Sequence, residues 1–325
     1  MKILAFVLAG GAGTRLRPLT DKQCKPALPF AAGYRIVDFV LSNLVNSEVS
    51  RIYVIAQYKP QSLIEHIRTA WAQWSGGDKP VVKTILPVEQ GAAHAFKGTA
   101  DAVYQNRHLI AQHKPDLVAV FAADHVYRMD VRQMARFHQQ HNAEATIAAV
   151  PVPLTRASCF GILTVGPGGE LLEFQEKPRQ PSPMPGEPGH AYCSMGNYLF
   201  APEVLLELLD EAHRKGETDF GCHIIPLLPQ RYRAFAYNFA ECRIPGVQPH
   251  EERAYWRDIG EVDAYRAAQR DVLGPLPLFS IVNTRWPIRG GAYRVRAEFE
   301  VARPLHKRPQ FLRRQQQQAL DSARK

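Results

Sequence analysis

The stretch Ile3-Leu4-Ala5-Phe6-Val7-Leu8-Ala9-Gly10-Gly11-Ala12-Gly13-Thr14-Arg15-Leu16 decides the fold class. Seven consecutive apolar residues ending at glycine read as a strand buried on both faces. Three glycines in the next four positions let the backbone approach a ligand and aim several N–H groups at one point. Arg15 adds a planar fork of donors matched to phosphate oxygens. The loop is not a dinucleotide fingerprint, because the third glycine of G-x-G-x-x-G would fall at Leu16, and no G-K-[ST] follows to make a P-loop. A short signal peptide is the competing reading of the same start. The lack of a multiply charged beginning, and the glycine loop directly after it, favour the strand.

Outward from this loop, Val-, Ile- and Ala-rich runs at 51–56, 81–86, 117–122 and 145–151 read as further strands. Between them, 36–46, 62–74, 100–113 and 131–141 carry apolar residues at helical spacing. Strands separated by helices imply an α/β domain, with a mostly parallel, Rossmann-like sheet and helices on both faces. In the second half, strands at 160–165 and 171–176 flank Gly166-Pro167-Gly168-Gly169, a hairpin signal. Segment 178–189 holds five prolines in twelve residues and reads as a surface loop. A strand at 195–200 and helices at 202–214 and 262–272 follow.

Several side chains stand where such a sheet would use them. Lys25 precedes Pro26, which favours an extended backbone that projects the ammonium outward. Asp124 follows the strand at 117–122, and ligands of parallel α/β sheets bind beyond strand carboxyl ends. A carboxylate there suits a Mg²⁺ ligand; the plainer alternative is a cap for a helix near Asp130. Asp258, in Tyr255-Trp256-Arg257-Asp258-Ile259-Gly260, is a second acid that would complete such a site. Lys177, in Glu176-Lys177-Pro178, ends a strand and is either a phosphate-neutralising group or an edge charge. His138 and His141 read as surface histidines.

The chain has 325 residues, long enough for a large buried core without disulfide or metal staples. Its 46% hydrophobic and 22% charged content excludes a largely disordered or collagen-like chain. The formal charge is +9, but 285–325 carry 11 basic against 3 acidic residues, leaving 29 against 28 in the first 284. The charge therefore belongs to the tail and gives no basic face for nucleic acid. Five cysteines with no C-x-x-C pair fit reduced thiols and a cytoplasmic setting. No apolar run approaches a membrane span.

Taken together, 10–16 and Lys25-Pro26-Ala27 resemble the signature of the sugar-phosphate nucleotidyltransferases. The run Arg35-Ile36-Val37-Asp38-Phe39-Val40-Leu41-Ser42-Asn43 narrows the likeness to the glucose-1-phosphate adenylyltransferases among them, as do Gly98-Thr99-Ala100-Asp101-Ala102-Val103, Asp124-His125-Val126-Tyr127, Ser194-Met195-Gly196-Asn197-Tyr198 and Trp286-Pro287-Ile288-Arg289. The resemblance spans residues 3–290. It implies the nucleotide-diphospho-sugar transferase fold and transfer of the adenylyl group of ATP to glucose 1-phosphate. The products would be pyrophosphate and ADP-glucose for glycogen. It further implies Arg15, Lys25 and Asp124 as catalytic residues, and Asp124 with Asp258 holding Mg²⁺. Gly10, Gly11, Gly13, Thr14, Arg15, Gln57, Gln90, Phe96, Gly98 and Thr99 would meet the nucleotide. Glu176, Lys177, Ser194, Tyr198 and Trp256 would meet glucose 1-phosphate, and Lys22 is the one effector-site match.

Two departures stand out. Phe96-Lys97 replaces the Tyr-Arg common before Gly-Thr-Ala-Asp-Ala, removing a hydroxyl and turning a guanidinium into a point charge. Members of the group continue as a left-handed β-helix, whereas 36 residues without hexapeptide repeats follow Arg289 here. The expected organisation is a catalytic domain at 1–290 and a short, basic, poorly ordered tail at 291–325. A homo-oligomer is possible on this reading, but not necessarily the usual tetramer. The alternatives are a catalytically impaired regulatory subunit of the same fold, or a sister enzyme using another NTP.

Overall fold

The structure, a computed structural model, describes residues 1–31, 33–72, 80–87 and 95–290. The expected tail at 291–325 and Gln90 lie outside the described residues. The chain order is β1 (Ile3–Ala9), β2 (Pro29–Phe30), β3 (Tyr34–Arg35), α1 (Val37–Asn46), β4 (Arg51–Ala56), α2 (Gln61–Ala70), β5 (Val81–Ile85), α3 (Thr99–Gln105), α4 (His108–His113), β6 (Leu117–Ala122), β7 (His125–Tyr127), α5 (Val131–Gln140) and β8 (Ala145–Pro153). It continues through α6 (Leu154–Ala157), β9 (Gly161–Val165), β10 (Leu171–Glu176), β11 (His190–Phe200), α7 (Pro202–Lys215), α8 (Leu228–Arg231), β12 (Ala234–Asn238), β13 (Trp256–Asp258) and α9 (Val262–Asp271).

A mixed nine-stranded sheet runs β10-β9-β11-β6-β1-β4-β5, with β8 on β11 and β12 on β8. The half built from β6, β1, β4 and β5 is wholly parallel. β11 reverses direction, pairing antiparallel with β6, β8 and β9. Alternation along β1 sends Ile3, Ala5 and Val7 into one core and Leu4 and Phe6 into another. The first core packs under α1, α2 and α5, and the second under α3, α4 and α7. The sheet is therefore covered on both faces. A third cluster joins Leu16, Phe30, Phe39, Val126, Ile259 and Phe279, fastening the glycine-loop side to β7, β13 and α9.

The differences from the sequence expectation have local causes. The helix expected at 100–113 is broken after Gln105, where Asn106 Nδ2 donates to the Ala102 carbonyl at 2.8 Å and its side chain competes with the helical ladder. β11 starts at His190 rather than 195, since Ala191, Cys193 and Met195 alternate inward through the polar-looking stretch. Lys25 does not continue extended: it opens one turn of 3-10 helix, Lys25–Ala27, closed by the Leu28 amide on the Lys25 carbonyl. His138 is not a surface residue. It is 4% exposed on the inner side of α5, and its Nδ1 lies 2.8 Å from Thr146 Oγ1. Asp130, not Asp124, caps α5, accepting from the Arg132 amide at 3.0 Å.

The signature run on α1 proves to be architectural. Buried Asp38 accepts from the Arg35 amide at 2.8 Å and from Trp71 Nε1 at 2.8 Å, and lies 2.6 Å from His66 Nε2. Farther along the helix, Ser42 accepts the Arg289 amide at 2.7 Å and Asn43 accepts Trp286 Nε1 at 3.4 Å. Asn46 donates to the Pro287 carbonyl at 3.0 Å and accepts from Arg289 Nε at 3.1 Å. Segment 286–290 is thereby seated along α1.

No helix among the described residues is long and apolar enough to cross a membrane. All five cysteines are free.

Candidate active site

The glycine loop leaves β1 at the carboxyl edge of the parallel strands, where N–H groups are no longer used by the sheet. Gly10 and Gly11 face open space. Gly13 sits at φ +62°, in the left-handed region, and a Cβ there would lie 3.0 Å from Thr20 Cγ2. The loop then tightens into one 3-10 turn, Thr14–Leu16, whose Leu16 is buried and whose Arg15 is exposed. A cleft of about 290 Å³ opens here, lined by Gly11, Gly13, Arg15, Lys25, Asp124 and Gly260 among others. Arg15 Nη2 lies 3.7 Å, and Asp258 Oδ2 3.1 Å, from where a Gly260 Cβ would stand. The guanidinium at the beginning of the chain and an acid more than two hundred residues later therefore share one corner.

Lys25 joins that corner from below. Its side chain is only 11% exposed, and Nζ donates to Asp124 Oδ2 at 2.7 Å and to Asp258 Oδ1 at 3.4 Å. The antiparallel pairing of β13 with β7 places Asp258 opposite His125 and so delivers it to Asp124. Burial alone would raise the Asp124 carboxyl, but the charges of Lys25 and His125 outweigh it and hold the group well below the usual carboxylate range. Burial likewise works against the Lys25 ammonium, and Asp124 and Asp258 more than compensate, raising its pKa. Asp124, His125 and Asp258 each offer one ligand atom within 4.8 Å of the others. His125 Nδ1 is buried with no partner, and Nε2 lies 3.4 Å from Asp124 Oδ1 and 3.6 Å from Asp258 Oδ1. Two carboxylates against one ammonium leave net negative charge beside a phosphate-sized loop. That donor set fits a divalent cation.

A second corner forms where β10, β11 and the turn after α7 meet. Lys177 is held at φ +46°, a left-handed conformation costing about 1–2 kcal/mol for a residue with a side chain. Such strain collects at ligand-binding positions. Its ammonium bonds to Glu176 Oε1, which with the nearby charges of Cys222 and Asp219 raises its pKa against burial. Cβ atoms at Gly161 and Gly221 would lie 3.0 and 2.9 Å from Glu176 Oε2, so both glycines keep the space around that carboxylate clear. Tyr198 stacks on Phe220 with ring centres 5.8 Å apart. Burial pushes its hydroxyl pKa up, opposed by a hydrogen bond with Ser194 and reinforced by Glu176 and Asp219. The buried Cys193 thiol is raised by desolvation and then by Asp258 and Glu176 together, so the two corners flank the same strand, β11.

A family model described as nucleotidyl transferase matches residues 4–274 of this chain. The chain belongs to the nucleotidyl transferase family. Among curated proteins it is 51% identical over 293 residues to the glucose-1-phosphate adenylyltransferase of Thermodesulfovibrio yellowstonii, covering 90% of this chain and 71% of that protein. It is 46% identical over 298 residues to the same-named protein of Thermus thermophilus, covering 89% and 71%. Glucose-1-phosphate adenylyltransferase 1 of Vibrio cholerae is 41% identical over 288 residues, covering 88% and 70%.

Within this nucleotidyl transferase, the sequence-predicted residues fall into three groups. Gly10, Gly11, Gly13, Thr14, Arg15, Lys25, Asp124 and Asp258 gather around the first corner, and Glu176, Lys177, Ser194 and Tyr198 around the second. Gln57, Phe96, Gly98 and Thr99 link elements. Gln57 Oε1 accepts the Phe96 amide at 2.6 Å and its Nε2 donates to the Phe96 carbonyl at 3.2 Å. Gly98 is glycine because the Thr218 carbonyl would lie 2.4 Å from a Cβ. Thr99 Oγ1 donates to Asp219 Oδ2 at 2.9 Å and accepts from the Phe220 amide at 2.9 Å. Trp256 is buried between His125, 5.1 Å away edge-on, and Phe160 at 5.7 Å. Lys22 is exposed on the loop whose Thr20 and Asp21 carbonyls accept from Lys59 Nζ. Sequence reasoning missed His125 and Asp219. His125 was visible only as the neighbour of Asp124, and Asp219 had no signal beyond an acid preceding Phe220-Gly221.

Proposed function

We propose that the chain catalyses adenylyl transfer from ATP to glucose 1-phosphate, releasing pyrophosphate and forming ADP-glucose for α-glucan synthesis. The observation that carries the reading is the bridging of Asp124 and Asp258 by Lys25 at the mouth of the Arg15 glycine loop. The Proposed reaction forms a bond from a sugar-phosphate oxygen to the α-phosphorus and breaks the α–β bridge, with pyrophosphate leaving. No covalent enzyme intermediate is needed, so the work is positioning and charge neutralisation. The amides of 10–13 and the Arg15 guanidinium hold the departing phosphates. Lys25 balances the acid pair and presents its ammonium to the same anions. Asp124 and Asp258, with His125 beside them, would hold Mg²⁺, which when bound supplies charge neutralisation at the phosphates. Lys177 neutralises the sugar phosphate while Glu176, Asp219 and Ser194 offer acceptors for sugar hydroxyls. Thr99 ties that sugar corner to the helix α3 behind the nucleotide side.

Residues 1–290 form the catalytic unit on this reading. The test is pyrophosphate release with ATP, glucose 1-phosphate and Mg²⁺, run beside a panel of the other NTPs. ATP should give by far the highest kcat/KM. Faster turnover with another NTP would replace the adenylyl assignment, and ligand binding without turnover would make the chain a regulatory subunit.

A further inference from the structure

A cavity of about 430 Å³, larger than the glycine-loop cleft, lies between the end of β8 with α6 on one side and β13 with α9 on the other. Its size falls in the range of small-molecule sites. Val150, Val152, Phe160 and Trp256 give it apolar walls. Its lining carries three arginines, Arg156, Arg253 and Arg257, against Glu252 and Asp258. Arg257 is held by Glu252 at 2.5 Å and Asp271 at 2.9 Å, and Asp258 shares Lys25 with Asp124. Arg156 on α6 and Arg253 before β13 also line the cavity, and neither has an acidic partner within salt-bridge distance among the described residues. Trp256 adds a buried indole Nε1 with no hydrogen-bond partner.

We propose that this cavity is a second ligand site, taking a small organic anion whose apolar body lies against Phe160 and Trp256 and whose oxyanion head meets Arg156 and Arg253. Two unpaired guanidinium forks suit a phosphate or carboxylate, and the apolar floor gives inorganic ions nothing to bury. The cavity shares no lining residue with the glycine-loop cleft, and neither arginine belongs to the machinery described above; Asp258 of the acid pair and Trp256 form the wall between the two. It backs onto that cleft through β13, which carries Trp256 at one end and Asp258 at the other.

The probe is phenyl phosphate, an apolar ring bearing a phosphate, titrated by calorimetry against the full chain saturated with glucose 1-phosphate. Inorganic phosphate and phenol serve as its separate halves. The expected result is saturable binding to one site, at least tenfold tighter than either half. Arg156→Glu with Arg253→Glu should weaken it at least tenfold, and Lys177→Ala should leave it unchanged. Both arginines are exposed, so Arg156→Gln with Arg253→Gln serves as a milder variant that keeps the fold. Pyrophosphate release by either double variant should stay within twofold of the parent. No saturable binding, binding that survives charge reversal, or phosphate alone binding as tightly as the probe would each overturn the proposal.

Discussion

Replacing Lys25 by Met removes the one cation between two carboxylates and keeps most of the side-chain volume. At an effective dielectric of about 20, unit charges at 2.7 and 3.4 Å attract by about 6 and 5 kcal/mol. Asp124 and Asp258 are 34% and 27% exposed, so solvent screening removes half or more of this, and the cost of desolvating the ammonium offsets a further part. The net expectation is a loss of about 2–3 kcal/mol in folding stability. Its pH dependence follows from the two shifts. Asp124 is held low, so its contribution is present above about pH 4 and is lost as pH falls through its folded value. Lys25 is held high, so its contribution is present below about pH 10 and is lost as pH rises through its folded value. The stability gap between parent and Lys25→Met should be flat from about pH 5 to 9 and close at both ends. Urea unfolding in EDTA across that range measures it, and pyrophosphate release should fall about a hundredfold. A gap that widens toward acid, or a variant as stable as its parent at pH 7, would refute the ion-pair account.

Lys177→Ala should raise the KM for glucose 1-phosphate by about ten- to a hundredfold, the worth of one charge-assisted contact, with little change for ATP. Equal changes in both would remove Lys177 from the sugar corner. Gly98→Ala drives a Cβ to 2.4 Å from the Thr218 carbonyl, and backbone cannot yield as a side chain does. It should cost about 1–3 kcal/mol by calorimetry and raise the KM for glucose 1-phosphate, because Thr99 anchors Asp219 and Phe220. Burial lowers the His138 imidazole to about 4. Its contribution to stability is present above about pH 6.5 and is lost as pH falls towards 4, by about 3 kcal/mol at most. A His138→Gln protein should lack that slope in urea unfolding.

The parallel half of the sheet was legible because β1, β4 and β6 are continuous apolar runs, and such runs have few alternatives when helices flank them. The antiparallel half was harder. β11 pairs on both sides along its length, and its first five residues look polar because alternate side chains face outward. The first corner could be reached by listing charged residues after strand ends. The linking roles of Gln57, Gly98 and Thr99 could not, since the Phe96 amide, the Thr218 carbonyl and the Phe220 amide are backbone that any sequence supplies, and Asp219, the one side-chain partner, is 120 residues from Thr99. His138 shows the converse. Its i, i+3 spacing with His141 is visible, but the burial that fixes its protonation comes from packing α5 on β8.

Segment 286–290 is bolted to the domain along α1. A twist applied at Gly290 meets Asp38, whose Oδ2 would lie 2.6 Å from a Cβ there, and then Ser42, Asn43 and Asn46 along the helix. At this same end of the rod, Asp38 grips the amide of Arg35, whose guanidinium reaches the carbonyl of Ala27, two residues beyond Lys25. Mechanical load hung on that segment has a stiff lever to the ammonium on which the acid pair depends.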